Sequence, residues 1–227
     1  MRRLLAVCLI AAFAACGKKE SAVPSDGKAL YKTLNCGACH KIGDQGASRG
    51  GPDLTMVGAR KSRAWLDLYL ADPQAWKRDT MMPNPRISAQ ARELIVGYLS
   101  SLKGQDWKDG RPWNDPRLKD PVERGHVLYA RAGCLACHGV GGIGGYPNNN
   151  VPGGLVPALL NAPEKFTKEV LKKKISRGVV PEKKDPSAAA PLLEMPAWGE
   201  ILSGPELDAV VEYLWTLQSG EAKTSAW

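Results

Sequence analysis

The sequence predicts an all-α chain built from two tandem helical domains. Three observations carry this. First, GKALYKTLNCGACH from Gly27 to His40 matches GHVLYARAGCLACH from Gly125 to His138, 98 residues further on, and self-similarity at a fixed offset marks a repeated structural unit. Second, apolar residues recur at helical spacing near the end of each copy: Leu94, Ile95, Tyr98, Leu99 and Leu102 in one, Leu207, Val210, Val211, Leu214 and Leu217 in the other. Third, no stretch keeps up the strict alternation of a half-buried strand.

Residues 1–16 open with Arg2 and Arg3 ahead of twelve apolar residues, Leu4 to Ala15, the charged and apolar regions of an export signal. Ala14 and Ala15 directly before Cys16 resemble a bacterial lipobox, which predicts a lipidated Cys16 after cleavage; plain signal cleavage is the alternative. Residues 17–26 read as a flexible tether.

The first domain, 27–103, takes its middle helix from SRAWLDLYLA and its closing helix from ISAQARELIVGYLSSL. Residues 104–121 are polar and rich in turn residues, so they form the linker, with Trp107 and Trp113 packing back onto a domain. In the second domain, 122–219, Asp120, Pro121 and Glu123 start the first helix. EKFTKEVLKKKI supplies its middle helix, and Ser203 with Glu206 makes a capping box for the last. Residues 220–227 are a tail. The landmarks recur in order, Pro52 to Leu54 answering Pro157 to Leu159 and Met82-Pro83 answering Met195-Pro196. The second copy adds an insertion, GGIGGYPNNNVPGG, and each copy is expected to have its own separate core.

With 44% hydrophobic and 24% charged residues the chain is globular. It lacks the roughly 18 to 20 residue apolar run of a membrane-spanning helix, which excludes a multi-pass membrane protein. The formal net charge is +8, unevenly spread: residues 27–103 carry 12 basic and 6 acidic side chains, residues 122–227 carry 11 of each. An exported protein does not meet nucleic acid, so the basic first domain predicts a protein partner with an acidic docking surface.

Six cysteines in an exported chain would ordinarily suggest disulfides. Here Cys8 lies inside the signal and Cys16 at its end. The remaining four form C-G-A-C-H, from Cys36 and Cys39 to His40, and C-L-A-C-H, from Cys134 and Cys137 to His138. Both have the spacing of c-type haem attachment. Residues i and i+3 of a helical turn share a face, so two thiols can add to the two vinyl groups along one porphyrin edge. The next residue then sits over the ring, where its imidazole can bind iron. A zinc site would space its CxxC pairs by about 15 to 20 residues, whereas 94 residues separate Cys39 from Cys134. A redox dithiol gives no reason for a His after both pairs.

These motifs, followed in each copy by a proline loop, a middle helix, a Met loop and a closing amphipathic helix, resemble class I cytochrome c, twice over. The two-domain plan is similar to dihaem cytochromes of the c4 type, from which the long insertion departs. The resemblance implies an all-α fold in which a first helix ends in CxxCH and crosses the last, two haem c groups, and proximal ligands His40 and His138. It also implies that the carbonyls of Pro52 and Pro157 accept a hydrogen bond from those imidazoles.

For the distal ligands, His126 is the one remaining His, and it reads as a surface or helix-start residue. Met195 is the only Met of the second domain and sits in its M-P loop. In the first, Met82 is preferred because it precedes Pro83, Met81 is the runner-up, and Met56 packs. Two His/Met haems imply an electron carrier, periplasmic or otherwise outside the cytoplasm and held at a membrane by its lipid. A dihaem enzyme of the peroxidase or thiosulfate dehydrogenase type, and a cytochrome subunit of a larger dehydrogenase or reductase, are the alternatives.

Overall fold

The computed structural model describes residues 26–47 and 50–219. The export signal, Cys16 with most of the tether, and the tail lie outside the described residues. The first copy contains α1 (Gly27–Thr33), a two-residue antiparallel pair β1 (Lys41–Ile42) and β2 (Gln45–Gly46), then α2 (Val57–Arg60), α3 (Arg63–Ala71), α4 (Pro73–Trp76) and α5 (Ala89–Ser101). The second contains α6 (Pro121–Arg131), α7 (Leu135–His138), α8 (Ala162–Lys165), α9 (Lys168–Arg177) and α10 (Gly204–Trp215). The fold is all-α, as the apolar spacing predicts.

Side-chain caps fix where the helices begin. Asp26 accepts the Ala29 N–H at 2.8 Å, Ser62 that of Trp65 at 3.1 Å, and Ser88 that of Ala91 at 3.2 Å. Each such cap satisfies a donor that the first helical turn leaves free. Ser203 and Glu206 form the expected capping box at α10.

In each copy the first helix crosses the last at a glycine. Any Cβ on Gly27 would collide with the backbone carbonyl of Leu94, and any Cβ on Gly125 with that of Ala209. Around this crossing Leu30, Ile95 and Leu99 are buried in the first copy, and Leu128, Val210 and Leu214 in the second.

The attachment motifs are not the ends of α1 and α6. Asn35 (φ 55°) and Gly133 (φ 86°), equivalent positions of the repeat, take the left-handed conformation and break the helix. The CxxCH segment resumes as a separate turn, 3₁₀ at Cys36–Ala38 and α-helical in α7. The thiol pair still spans one turn, so the spacing argument holds without a continuous helix.

Nor are the cores separate. Leu193, from the second copy, is 5% exposed within the core of the first, and Tyr146, Val156 and Leu192 pack on it there. In return Met56 of the first copy, wholly buried, joins Trp107, Trp113 and the core of the second. The insertion explains the exchange. Asn148 donates to the Leu193 carbonyl at 2.9 Å and accepts its N–H at 3.2 Å. Asn149 accepts the Leu192 N–H at 2.7 Å and donates to the Ala190 carbonyl at 3.0 Å. Asn150 accepts the Asp185 N–H at 2.8 Å and donates to the Ala189 carbonyl at 2.8 Å. Three consecutive amides thus satisfy an irregular backbone and hold Leu193 over the first copy.

Candidate functional site

Each copy assembles its site from the turn that carries the two thiols and the proline loop that follows. His40 Nδ1 lies 2.9 Å from the carbonyl oxygen of Pro52, and His138 Nδ1 lies 3.1 Å from that of Pro157. A carbonyl can only accept, so Nδ1 carries the proton and Nε2 keeps its lone pair for a metal. Burial, the larger influence, lowers the pKa of both imidazoles against the opposing pull of the proline carbonyls, which favours the neutral ligand form.

The glycine before Pro52 is part of this arrangement: a Cβ on Gly51 would stand 2.5 Å from His40 Cε1, so only a bare backbone lets the ring lie against the loop. Further support comes from tyrosine hydroxyls at matching positions. Tyr31 donates to the His40 carbonyl at 3.4 Å and Tyr129 to the Gly139 carbonyl at 2.7 Å. Burial raises the pKa of both phenols, which keeps them as donors.

Cys36, Cys134 and Cys137 are half-buried and Cys39 is exposed, and none of the four forms a disulfide. Burial raises the thiol of Cys36 and pushes that of Cys134 up to about 12. A redox dithiol needs a depressed pKa and an accessible thiolate, so these turns suit covalent attachment better than thiol exchange. No group of three or more His, Cys, Asp or Glu side chains among the described residues could hold a metal ion, so the two CxxC pairs do not build a shared zinc centre. The donor set fits haem c: two thiols on one turn, then an imidazole with its free nitrogen directed by the proline loop.

Met82 is half-buried against the first core. Its N–H reaches Thr80 Oγ1 at 3.3 Å, and that hydroxyl pairs with Tyr69 at 2.9 Å. Met81 is 69% exposed, its methyl over Gly50. Met56 fills the junction core. Met195 is half-buried against the second core, and its backbone pairs with Val179 in both directions at 2.9 Å. His126 is exposed on α6, with its ring 5.0 Å from that of Tyr213.

Sequence reasoning missed a charged junction between the sites. Asp53, directly after Pro52, lies 2.7 Å from Arg131 Nε, and Arg131 also donates to the Gly43 carbonyl at 2.8 Å. Arg60 donates to the Asp53 carbonyl at 2.6 Å, and Lys61 Nζ lies 3.2 Å from Cys137 Sγ and 4.1 Å from the Trp65 ring centroid. Consecutive basic residues at 60 and 61 were the only sequence signal.

A family model described as Cytochrome c matches the chain twice, over residues 24–103 and 122–218. No curated protein matches the chain. Among solved structures, one chain titled "Kuenenia stuttgartiensis reducing HAO-like protein complex Kustc0457/Kustc0458" is 16% identical, with 86% of this chain and 97% of that chain covered. Its TM-score is 0.29.

Proposed function

The chain belongs to the cytochrome c family, and from that premise we propose that it is an exported carrier passing single electrons between redox partners through two covalently bound haems. Haem-based electron transfer is what the family implies; to it we add the number of haems, their ligands and their surroundings. The observation that carries it is the pair of hydrogen bonds from His40 to Pro52 and from His138 to Pro157, each beside a CxxCH turn.

Bound haem c supplies a one-electron ferrous–ferric couple. The residues of the chain do the rest. Cys36 with Cys39, and Cys134 with Cys137, would each hold one haem through their thiols, and His40 and His138 would offer Nε2 to its iron. The proline carbonyls hold those rings in one orientation, so little reorganisation accompanies electron gain or loss. Met82 and Met195 would supply the second protein ligand to each iron; a thioether favours the ferrous state, and an iron so held would take no substrate. The half-buried packing of Met82 on the first core, against the 69% exposure of Met81, supports that choice.

Lipidation at Cys16 would tether the carrier to the outer side of a membrane, where its basic first domain meets acidic partners. Mass spectrometry of the mature N-terminus tests the anchor, and an unmodified terminus at any other residue rejects it. The carrier reading is tested by optical spectra with a pyridine haemochrome count. Two haems per chain, both low-spin and both inert to carbon monoxide, are expected; a high-spin haem that binds carbon monoxide at neutral pH overturns the reading.

A further inference from the structure

Among the described residues, the junction between the copies gathers three basic side chains and one buried carboxylate. Arg60 and Lys61 are each 7% exposed, and Arg131 is half-buried beside them. The buried carboxylate of Asp53 pairs with Arg131, and the backbone carbonyl of Asp53 takes Arg60. That carboxylate is already engaged, by Arg131 Nε at 2.7 Å and by the Thr55 N–H and hydroxyl at 2.8 and 2.5 Å. Arg60 makes a single hydrogen bond, from Nη2 to the Asp53 backbone carbonyl, and its Nε is buried without a partner among the described residues.

The guanidinium of Arg60 is aimed across the junction. A Cβ on Gly133 would stand 2.5 Å from Arg60 Cζ, and Gly133, at φ 86°, is the residue before Cys134. A cation from the first domain is therefore packed against the attachment turn of the second, in a slot that any other residue at 133 would close.

We propose that Arg60 raises the reduction potential of the haem carried by the second domain. The inference rests on Cys134, Cys137 and His138 being that haem's attachment site. Gain of one electron there lowers the local charge by one, with no bond made or broken, and a fixed cation favours the reduced state. Arg60 supplies that cation at every physiological pH, because a guanidinium does not lose its proton. Its burial removes the salt screening that weakens surface charges. Through an effective dielectric of about 20, a unit charge at about 10 Å shifts a one-electron equilibrium by roughly tenfold or somewhat more.

The test is a spectroelectrochemical titration of the holoprotein, with each domain's haem methyl resonances assigned by NMR. Arg60→Met is expected to lower the ferrous-to-ferric equilibrium constant of the second haem about tenfold, or about 59 mV for a one-electron couple, while Arg60→Lys retains most of the wild-type value. Asp53→Asn removes the opposing charge and is expected to shift the same haem the other way. Loosening of the junction would admit water and lower the potential in every variant, so the opposite sign separates electrostatics from structure. An Arg60→Met potential equivalent to wild type within twofold, or an Arg60→Lys value as low as that of Arg60→Met, overturns the proposal. Should Arg60→Met fail to accumulate, Asp53→Asn decides alone, and an unchanged or lowered potential there rejects it. Failure of the dihaem reading would appear elsewhere, as fewer than two haems in the wild-type haemochrome count.

Discussion

The Glu206 carboxylate accepts the indole N–H of Trp113 at 2.5 Å, which ties the segment between the copies to the first turn of α10. The same carboxylate takes Arg111 Nη1 at 2.7 Å, Asn114 Nδ2 at 3.0 Å and the Ser203 N–H at 2.7 Å. One side chain, 2% exposed, therefore serves both as helix cap and as anchor for a wholly buried tryptophan.

Glu206→Ala is expected to destabilise the second domain by roughly 2 to 3 kcal/mol, because it leaves buried donors unpaired. Burial pushes this carboxyl up, but the Ser203 N–H, the Trp113 indole and Arg111 outweigh it and hold the pKa at about 2 against an ordinary 4.5. A depressed pKa means stability that is complete above about 4.5 and lost as pH falls towards about 2. Thermal melts across that window should show wild type losing stability with acid while Glu206→Gln stays flatter.

Cys134→Ser with Cys137→Ser is expected to remove covalent haem from the second domain and leave it in the first. The pyridine haemochrome count should fall from two to one per chain, and a count still at two would refute the assignment of that turn.

Met195→Ala is expected to open one haem to carbon monoxide and lower its potential, and Met82→Ala to do the same for the other. Met81→Ala should leave both spectra unchanged, given its 69% exposure. If Met81→Ala opens the first haem instead, the residue assignment moves by one position and the carrier function stands.

Leu193→Ala is expected to weaken the first domain, although it lies 90 residues beyond that domain's end at 103. Removing a leucine 5% exposed in a core costs about 2 to 5 kcal/mol. Calorimetry should show the first domain's transition lowered, and a shift confined to the second would contradict the exchange of core residues.

Electron transfer to an acidic partner is expected to slow as ionic strength rises towards about 0.15 M, where the screening length is about 8 Å, because the first domain's 12 basic against 6 acidic residues steer encounter. Stopped-flow rates independent of salt would reject steering.

The helices were legible because their signals are local. Periodic leucines, an Asp, Ser or Thr capping each longer helix and the Ser203–Glu206 spacing act within one or two turns, and the CxxCH turn is read from five residues. Gly27 and Gly125 stood in the repeat, yet their purpose depends on Leu94 and Ala209, whose approach no local pattern records. The same holds for Asp53, Arg60 and Arg131: each reads as a solvated charge until the two copies are packed together. The insertion was visible as an excess of Gly and Asn, but its pairing with residues 185–193 is a long-range match of side-chain amides to backbone that carries no periodicity.

The reach of Asn148, Asn149 and Asn150 towards residues 185–193 sets an order of maturation. The first copy is synthesised first, but a wall of its core arrives only with Leu193 near the far end of the chain. The first core therefore stays incomplete until residues 185–193 are in place, so a chain cut within the linker would lack a wall that only the second copy supplies.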